Sequence, residues 1–323
     1  MNVEISSIAY YLPENVETGS ELKKDNPDWD IDKIEEKTGI KTRYISDNDQ
    51  TALDMSVIAA ESLLQHKVNI KDIDFLIFVT QSPEYVLPTT ACLLQDKLGL
   101  SKNCMAFDVN LGCSGFVYGL SIGGSLIESG LVKGGLLVCS DTYSKYIDKN
   151  DRTCRPLFSD GASVTYLKHS NKSRLGPFEL GTDGSGVNNL IVPQCGSRTS
   201  VCDTKKLHMS GSDIFMFSMY AVPNCIESLL IKSNFKISDI DLFVFHQASK
   251  LVIDNIVRRL NIPQENFFIN YENIGNTVSA SIPIALHSAV KKGVLSNGDR
   301  VMLVGFGVGY SWGGCIVEWN FND

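Results

Sequence analysis

Apolar and polar positions alternate from Asn2 to Leu12 and stop at Pro13, the period-two pattern of a strand. Asp32 to Gly39 is a charged, helix-spaced segment with Gly39 placed to end it, and the run Ile40 to Ile45 follows. From Thr51 to Gln65, Leu53, Ile58 and Leu63–Leu64 mark one face of an amphipathic helix with Asp54 near its start. The unbroken apolar run Ile73 to Val79 predicts a strand buried on both faces. Pro88 to Leu98 predicts a helix opened by proline, Ala106 to Asn110 a short strand, Ser114 onward a helix, and Gly135 to Cys139 a strand. Phe158 to Ala162 reads as a turn feeding another strand, and Lys168 to Pro177 is the most linker-like stretch. Ser210 to Leu230 and Leu251 to Leu260 predict helices, Leu242 to Phe245 a buried strand, and Val301 to Val304 a strand running into a glycine-rich end. Strands alternating with helices define the class as α/β.

Two uncharged windows, Val109 to Ile127 and Asn273 to Val290, approach the length of a membrane span. Both carry Gly, Ser, Asn or Pro in their first turns and lack flanking aromatic belts. A helix apolar all round also suits the core of a large protein, so buried helices and no membrane association are expected.

The pattern repeats. Asp72-Ile-Asp-Phe-Leu-Ile-Phe-Val-Thr-Gln-Ser82 lies over Asp239-Ile-Asp-Leu-Phe-Val-Phe-His-Gln-Ala-Ser249, Leu111-Gly-Cys-Ser114 over Ile274-Gly-Asn-Thr277, and Lys133–Ser140 over Gly298–Gly305. The matches keep their order at nearly constant offset. Two halves of one topology, residues 1–173 and 174–323, are therefore expected to pack about a pseudo-dyad. That symmetry sets Asn276 opposite Cys113, and puts His246 where the first half has Val79.

Cys113 is the centre of the chemistry. It stands between Gly112 and Ser114-Gly115, at the expected start of the uncharged helix. Unpaired N–H groups and the helix dipole there favour an anion, so the thiol is expected to lose its proton easily and act as a nucleophile. Gly112 and Gly115 are expected to leave room for a substrate carbonyl. By itself His246 would pass for a structural histidine at a strand end, and Asn276 for a turn residue; the repeat brings both toward Cys113.

Bulk properties narrow the field. At 323 residues, 43% hydrophobic and 20% charged, the chain is an ordinary globular protein of two domains or two halves. A net charge of −8 argues against nucleic acid as a partner. The nine cysteines are scattered with no Cys-x-x-Cys, so no metal site is expected, and reduced thiols in a cytosol are. The segment Met-Asn-Val-Glu-Ile-Ser-Ser has no signal-peptide character, in keeping with a cytoplasmic protein.

Taken together, Asp108-Val-Asn-Leu-Gly-Cys-Ser-Gly-Phe-Val-Tyr-Gly-Leu120, His246-Gln-Ala248, Gly275-Asn-Thr277 with Ser279–Leu286, and Gly305-Phe-Gly-Val-Gly-Tyr-Ser-Trp-Gly313 resemble the motifs of the β-ketoacyl-ACP synthase III family of the thiolase superfamily. Thr38-Gly-Ile40, Phe158–Ala162 and Gly181-Thr-Asp-Gly-Ser-Gly186 add to the resemblance, which runs from about residue 2 to 319. It implies a thiolase-like five-layer αβαβα fold, a homodimer, and acyl-CoA or acyl-carrier-protein thioesters as substrates, with no tightly bound cofactor. It implies that Cys113 takes an acyl group, that His246 and Asn276 stabilise the enolate formed when a malonyl-type thioester loses CO2, and that the backbone N–H groups of Cys113 and Val308 hold the second oxyanion.

This chain departs from that pattern around the substrate. A Trp and an Arg that precede Thr-Gly-Ile in CoA-primed members read Lys33 and Lys37, pantetheine-contacting Asn residues read Ser212 and Ser249, and the Arg after His-Gln-Ala reads Leu251. Arg152 matches a cofactor-side arginine. Leu87, in the loop expected to reach across the dimer into the partner's acyl pocket, stands where acetyl-selective members carry Phe. A specialised pathway, for a secondary metabolite or surface glycan, is favoured over housekeeping fatty-acid initiation. The alternatives on this fold are a non-decarboxylating acyltransferase from Cys113 to an alcohol or amine, and an idle dimer partner of another synthase.

Overall fold

The structure, a computed structural model, describes residues 1–194, 196–198 and 205–321; of the nine cysteines, Cys195 and Cys202 lie outside the described residues. In chain order the elements are β1 (Val3–Tyr11), β2 (Asn15–Thr18), α1 (Gly19–Asp25), α2 (Ile31–Thr38), β3 (Thr42–Ile45), α3 (Ala52–His66), β4 (Phe75–Val79), α4 (Thr90–Lys97), β5 (Met105–Val109), α5 (Gly115–Glu128), β6 (Gly134–Asp141), β7 (Gly161–His169), β8 (Leu175–Thr182), β9 (Leu190–Ile191), β10 (His208–Met209), α6 (Gly211–Ser233), β11 (Leu242–Phe245), α7 (Lys250–Leu260), α8 (Ser281–Lys291), β12 (Arg300–Gly307) and β13 (Ser311–Glu318).

Two sheets carry the fold. The first has the order β1-β7-β6-β4-β5 and the second β11-β12-β13-β8. In the first, β4 runs parallel to β5 and β6, while β7 is antiparallel to β6 and β1. In the second, β11 runs parallel to β12, while β13 is antiparallel to β12 and β8. Phe267 makes a parallel bridge to Phe243 on the far side of β11, in the position that β5 has beside β4. Order and direction therefore correspond strand for strand, with β4 matching β11 and β6 matching β12.

Burial sorts the helices into layers. Phe116, Val117 and Leu120 of α5 and Ile282, Ala285 and Leu286 of α8 share one core with Ile77 and Leu137 of the first sheet and Val244 and Leu303 of the second. The pair α5/α8 is thus the middle layer, and its apolar character, uncharged up to the last residue of each helix, follows from having a sheet on each side. Helices α3 and α4 cover the outer face of the first sheet, with Leu63 and Leu94 against Leu76 and Val138. Helices α6 and α7 cover the second, with Val222 and Ile253 against Phe243 and Met302. The result is five layers, αβαβα.

Both uncharged windows are buried as expected. Among the described residues, the helix with membrane-like length and composition is instead α6, with a mean hydropathy of 1.5 over its most apolar stretch. Its Ala221, Val222, Cys225, Ile226 and Leu229 are buried against the second sheet and α7.

Three boundaries differ from the sequence pattern. Helix α4 begins at Thr90, not at Pro88, because the Asp108 carboxylate accepts the N–H groups of Thr90 and Ala91, both at 2.7 Å. The linker-like stretch is shorter than its composition suggests: Lys168 and His169 pair with Glu4 and Val3 at the end of β7, and β8 begins at Leu175. Strand β12 continues to Gly307 through its pairing with β13.

Candidate active site

Strand β5 delivers the chain to a tight turn, closed by the Gly115 N–H donating to the Gly112 carbonyl at 2.7 Å. Cys113 stands in that turn, one residue before the N-cap Ser114 of α5, and is 5% exposed. The glycines around it serve packing. A Cβ on Gly115 would lie 2.4 Å from Val79 Cγ1, and one on Gly112 would lie 2.5 Å from Gln81 Oε1. The expected room for a substrate carbonyl at those two positions is therefore taken by protein. On the opposite side a Cβ on Gly307 would lie 3.0 Å from Cys113 Sγ, so β12 can approach the thiol only as glycine.

His246 follows β11 directly. Its N–H donates to the Val304 carbonyl at 2.8 Å, which extends the pairing with β12, and its ring is 2% exposed. Nδ1 lies 2.7 Å from Ser281 Oγ at the start of α8. Asn276 is 4% exposed, and its backbone is tied to the first half by the Asn276 N–H to Leu157 carbonyl and Ser159 N–H to Asn276 carbonyl bonds, both 2.9 Å. The Asn276 Oδ1 accepts the Val278 N–H at 2.9 Å. That bond fixes which side of the amide is committed, and leaves Nδ2 as the donor side.

Cys113, His246 and Asn276 line one cavity of about 410 Å³. Phe158, Leu190, Phe306 and Gly307 close its inner part, and Lys33, Lys37, Arg152, Ser249 and Leu251 stand on its outer wall. The Lys33 ammonium is paired with Asp30 at 3.0 Å. Ser212 begins α6 beside Gly211 but is not on the wall, and Leu87 is 80% exposed and away from the cavity of its own chain. Behind Cys113 lies an apolar cluster containing Tyr143, Ile147, Phe158, Leu190 and Leu207. Sequence patterning does not reveal Ser281 or this cluster, because their partners are distant in the chain.

The electrostatics correct one expectation. Burial pushes the Cys113 thiol up to about 12, with nearby Asp141 adding to the rise; hydrogen bonds from the backbone of Cys113 and Val308 pull the other way and do not win. Desolvation at 5% exposure therefore works against the helix-start effect and toward the protonated thiol. Burial likewise drives His246 down to about 3, against the favourable contact with the Val278 backbone, so the ring is neutral. Among the described residues no group of His, Cys, Asp and Glu is arranged to hold a metal ion.

The layers and their connections are those of the thiolase fold. Residues 107–184 match the family described as 3-oxoacyl-[acyl-carrier-protein (ACP)] synthase III, and residues 230–319 match its C-terminal counterpart. A β-ketoacyl-[acyl-carrier-protein] synthase III of Clostridium perfringens is 37% identical over 98% of this chain and 99% of its own length. One from Clostridioides difficile is 35% identical over 98% of both. A crystal structure of a 3-oxoacyl-(acyl-carrier-protein) synthase III superposes with a TM-score of 0.96 at 42% identity, covering 99% of this chain and 100% of that one. A priming β-ketosynthase from the R1128 polyketide biosynthetic pathway superposes at 0.91 with 28% identity, covering 98% and 96%. The chain belongs to the β-ketoacyl-[acyl-carrier-protein] synthase III family. It is a condensing enzyme of the acyltransferase class.

Proposed function

We propose that the chain joins an acyl thioester primer to a malonyl-type thioester by decarboxylating Claisen condensation, with Cys113, His246 and Asn276 as the catalytic residues. The observation that carries this is their meeting on one cavity, with the Asn276 amide turned so that its NH2 is the free side.

In the first half-reaction the Cys113 sulfur attacks the primer's thioester carbonyl. The carbonyl oxygen becomes an oxyanion held by the backbone N–H groups of Cys113 and Val308, the C–S bond to the donor breaks, and the thiol proton leaves with the departing thiol. In the second, the malonyl-type thioester enters and its carboxylate leaves as CO2. The electron pair passes into an enolate whose oxygen accepts hydrogen bonds from His246 Nε2 and Asn276 Nδ2. A neutral imidazole fixed through Nδ1 suits a donor in that role, and the low pKa keeps it from becoming an imidazolium that would trap the enolate. The enolate carbon attacks the acyl carbon on Cys113, a C–C bond forms, and the C–S bond breaks. A 3-oxoacyl thioester leaves, and the thiolate takes up one proton, as its high pKa favours.

The wall residues bear on the donor. Lys37, Arg152, Ser249 and, at the α6 start, Ser212 are proposed to contact the pantetheine and phosphate end. Lysines cannot stack on adenine, and Leu251 cannot pair with an acidic carrier protein. Donor recognition is therefore proposed to differ from that of CoA-primed relatives, in a specialised pathway. The chain is further proposed to work as a cytoplasmic homodimer, in halves 1–173 and 174–323. The exposed run Tyr85, Val86 and Leu87 supports the dimer as an apolar loop in need of a cover.

The test is to supply acyl-CoA and acyl-carrier-protein primers with malonyl-carrier protein and to measure CO2 and product mass. CO2 release matched by 3-oxoacyl product is expected. Acyl transfer to an alcohol or amine without CO2 release would overturn the proposal.

A further inference from the structure

Strand β6 ends on Asp141, a carboxylate with no exposed surface. The condensation described above makes no use of it. Its Oδ1 accepts the Gln81 N–H at 2.7 Å and the Thr80 and Ser82 hydroxyls, each at 3.3 Å. Its Oδ2 accepts the Ser279 hydroxyl at 3.1 Å. The first three donors follow β4 in the first sheet. The fourth belongs to the segment that carries Asn276. Asp141 is therefore a hydrogen-bonded link between the sheet that delivers Cys113 and the turn that delivers Asn276 and contacts His246 through Ser281.

Ser279 is flanked by what orients them. Val278 donates its N–H to Asn276 Oδ1, and Ser281 binds His246 Nδ1. Val278 has φ 53, the left-handed region that a β-branched residue adopts only where its surroundings impose it. The hydroxyl of neighbouring Thr277 is buried without a partner, so among these residues Ser279 supplies the side-chain anchor to the first half. Burial pushes the Asp141 carboxyl up to about 7, and its four neutral donors pull the other way, toward the ionised, acceptor-only form. Asp141→Asn would put an NH2 against at least one of them.

We propose that Asp141 is a positioning residue for the carbon–carbon bond-forming half-reaction: through Ser279 it holds the Val278 turn, and with it the Asn276 amide and the His246 ring, where the malonyl-type thioester needs them. This rests on the assignment of His246 and Asn276 to that half-reaction.

The test compares Ser279→Ala, Asp141→Asn, the double variant and His246→Ala. Acylation of Cys113 is followed by intact mass in single turnover, and condensation by steady-state kcat and KM for the malonyl thioester. Misplacing site groups by a fraction of an ångström costs about 10–100-fold, so kcat for condensation should fall by at least about tenfold in both single variants. In Ser279→Ala, KM and the acylation rate should stay within about threefold, because the Cys113 turn keeps its own contacts; Asp141→Asn also removes a charge that raises the Cys113 thiol, so the comparison of half-reactions is read from Ser279→Ala. The double variant should be no slower than the slower single one, since both cut one link. Unchanged condensation in Ser279→Ala, equal loss of both half-reactions, or additive losses would overturn the inference. If Asp141→Asn fails to fold, Ser279→Ala decides alone. His246→Ala separates the two claims. If it slows acylation as much as condensation, the assignment of the half-reactions is wrong and the inference falls with it. If it shows the division and Ser279→Ala does not, only the Asp141 link is wrong.

Discussion

Ser281 Oγ lies 2.7 Å from Nδ1 of His246, at the point where α8 begins and β11 has just ended. The serine also accepts the Gln247 N–H at 3.4 Å, and the ring meets the Val278 backbone as well, so Ser281 is one of the contacts that fix the plane of the imidazole. Ser281→Ala should free the ring to turn. Condensation should fall by about tenfold, less than the loss of about 10²–10³ from removing an oxyanion donor outright. Acyl transfer to Cys113 should change little. A rapid-quench comparison of the two steps checks this, and an equal effect on both would contradict it.

Gly307 answers a question of space. A Cβ there would be 3.0 Å from both Cβ and Sγ of Cys113. Gly307→Ala should therefore move the thiol or close the cavity, and lower acylation by at least about tenfold while the fold survives. Acyl-adduct formation by intact mass, beside a thermal melt, separates loss of the site from loss of the protein.

The thiol's titration gives a pH prediction. The folded Cys113 pKa is raised to about 12, so the thiolate is a minor form at every pH below that, and its fraction grows tenfold per unit. Alkylation of Cys113 by iodoacetamide should rise steadily from pH 7 to 10 without a plateau. Peptide mapping in a Cys92→Ser background is the readout, since Cys92 is exposed and would otherwise compete. A plateau below pH 8 would mean that the site stabilises a resting thiolate.

Leu87 concerns the primer. It is 80% exposed in the single chain, as a residue that completes a partner's pocket would be. Leu is smaller than Phe, and a site gains about 0.8 kcal/mol for each CH2 it buries, a few-fold in preference. Primers longer or more branched than acetyl should be accepted, and Leu87→Phe should shift the preference back toward acetyl. A panel of acyl thioesters measured as kcat/KM tests both. A strict acetyl preference unchanged by the substitution would confine Leu87 to interface packing.

Much of this was legible in the chain because the repeat is written in buried strands. Runs such as Phe75–Val79 and Leu242–Phe245 must be apolar on both faces, and that constraint survives in each half. The same logic located Cys113, His246 and Asn276, which sit at strand or helix ends of the repeat. Ser281, Asp141 and Gln81 were not legible. A serine or aspartate gains its meaning from a partner across the fold, and Asp141 looks in sequence like any strand-end carboxylate. The opposing pull of burial on the thiol was not legible for the same reason: helix position is local and visible, whereas burial is a property of the packed whole. The glycines at Gly112 and Gly115 carried a further lesson, since their space is filled by Gln81 and Val79 and not by substrate.

The most direct measurement is the fate of the acyl group in His246→Ala supplied with both a primer thioester and malonyl-carrier protein. Intact-mass and peptide mapping should find the primer acyl group accumulated on Cys113, with CO2 and 3-oxoacyl product reduced by about 10²–10³ relative to the unaltered enzyme. Absence of an adduct on Cys113, or its discharge into product at the unaltered rate, would contradict the account.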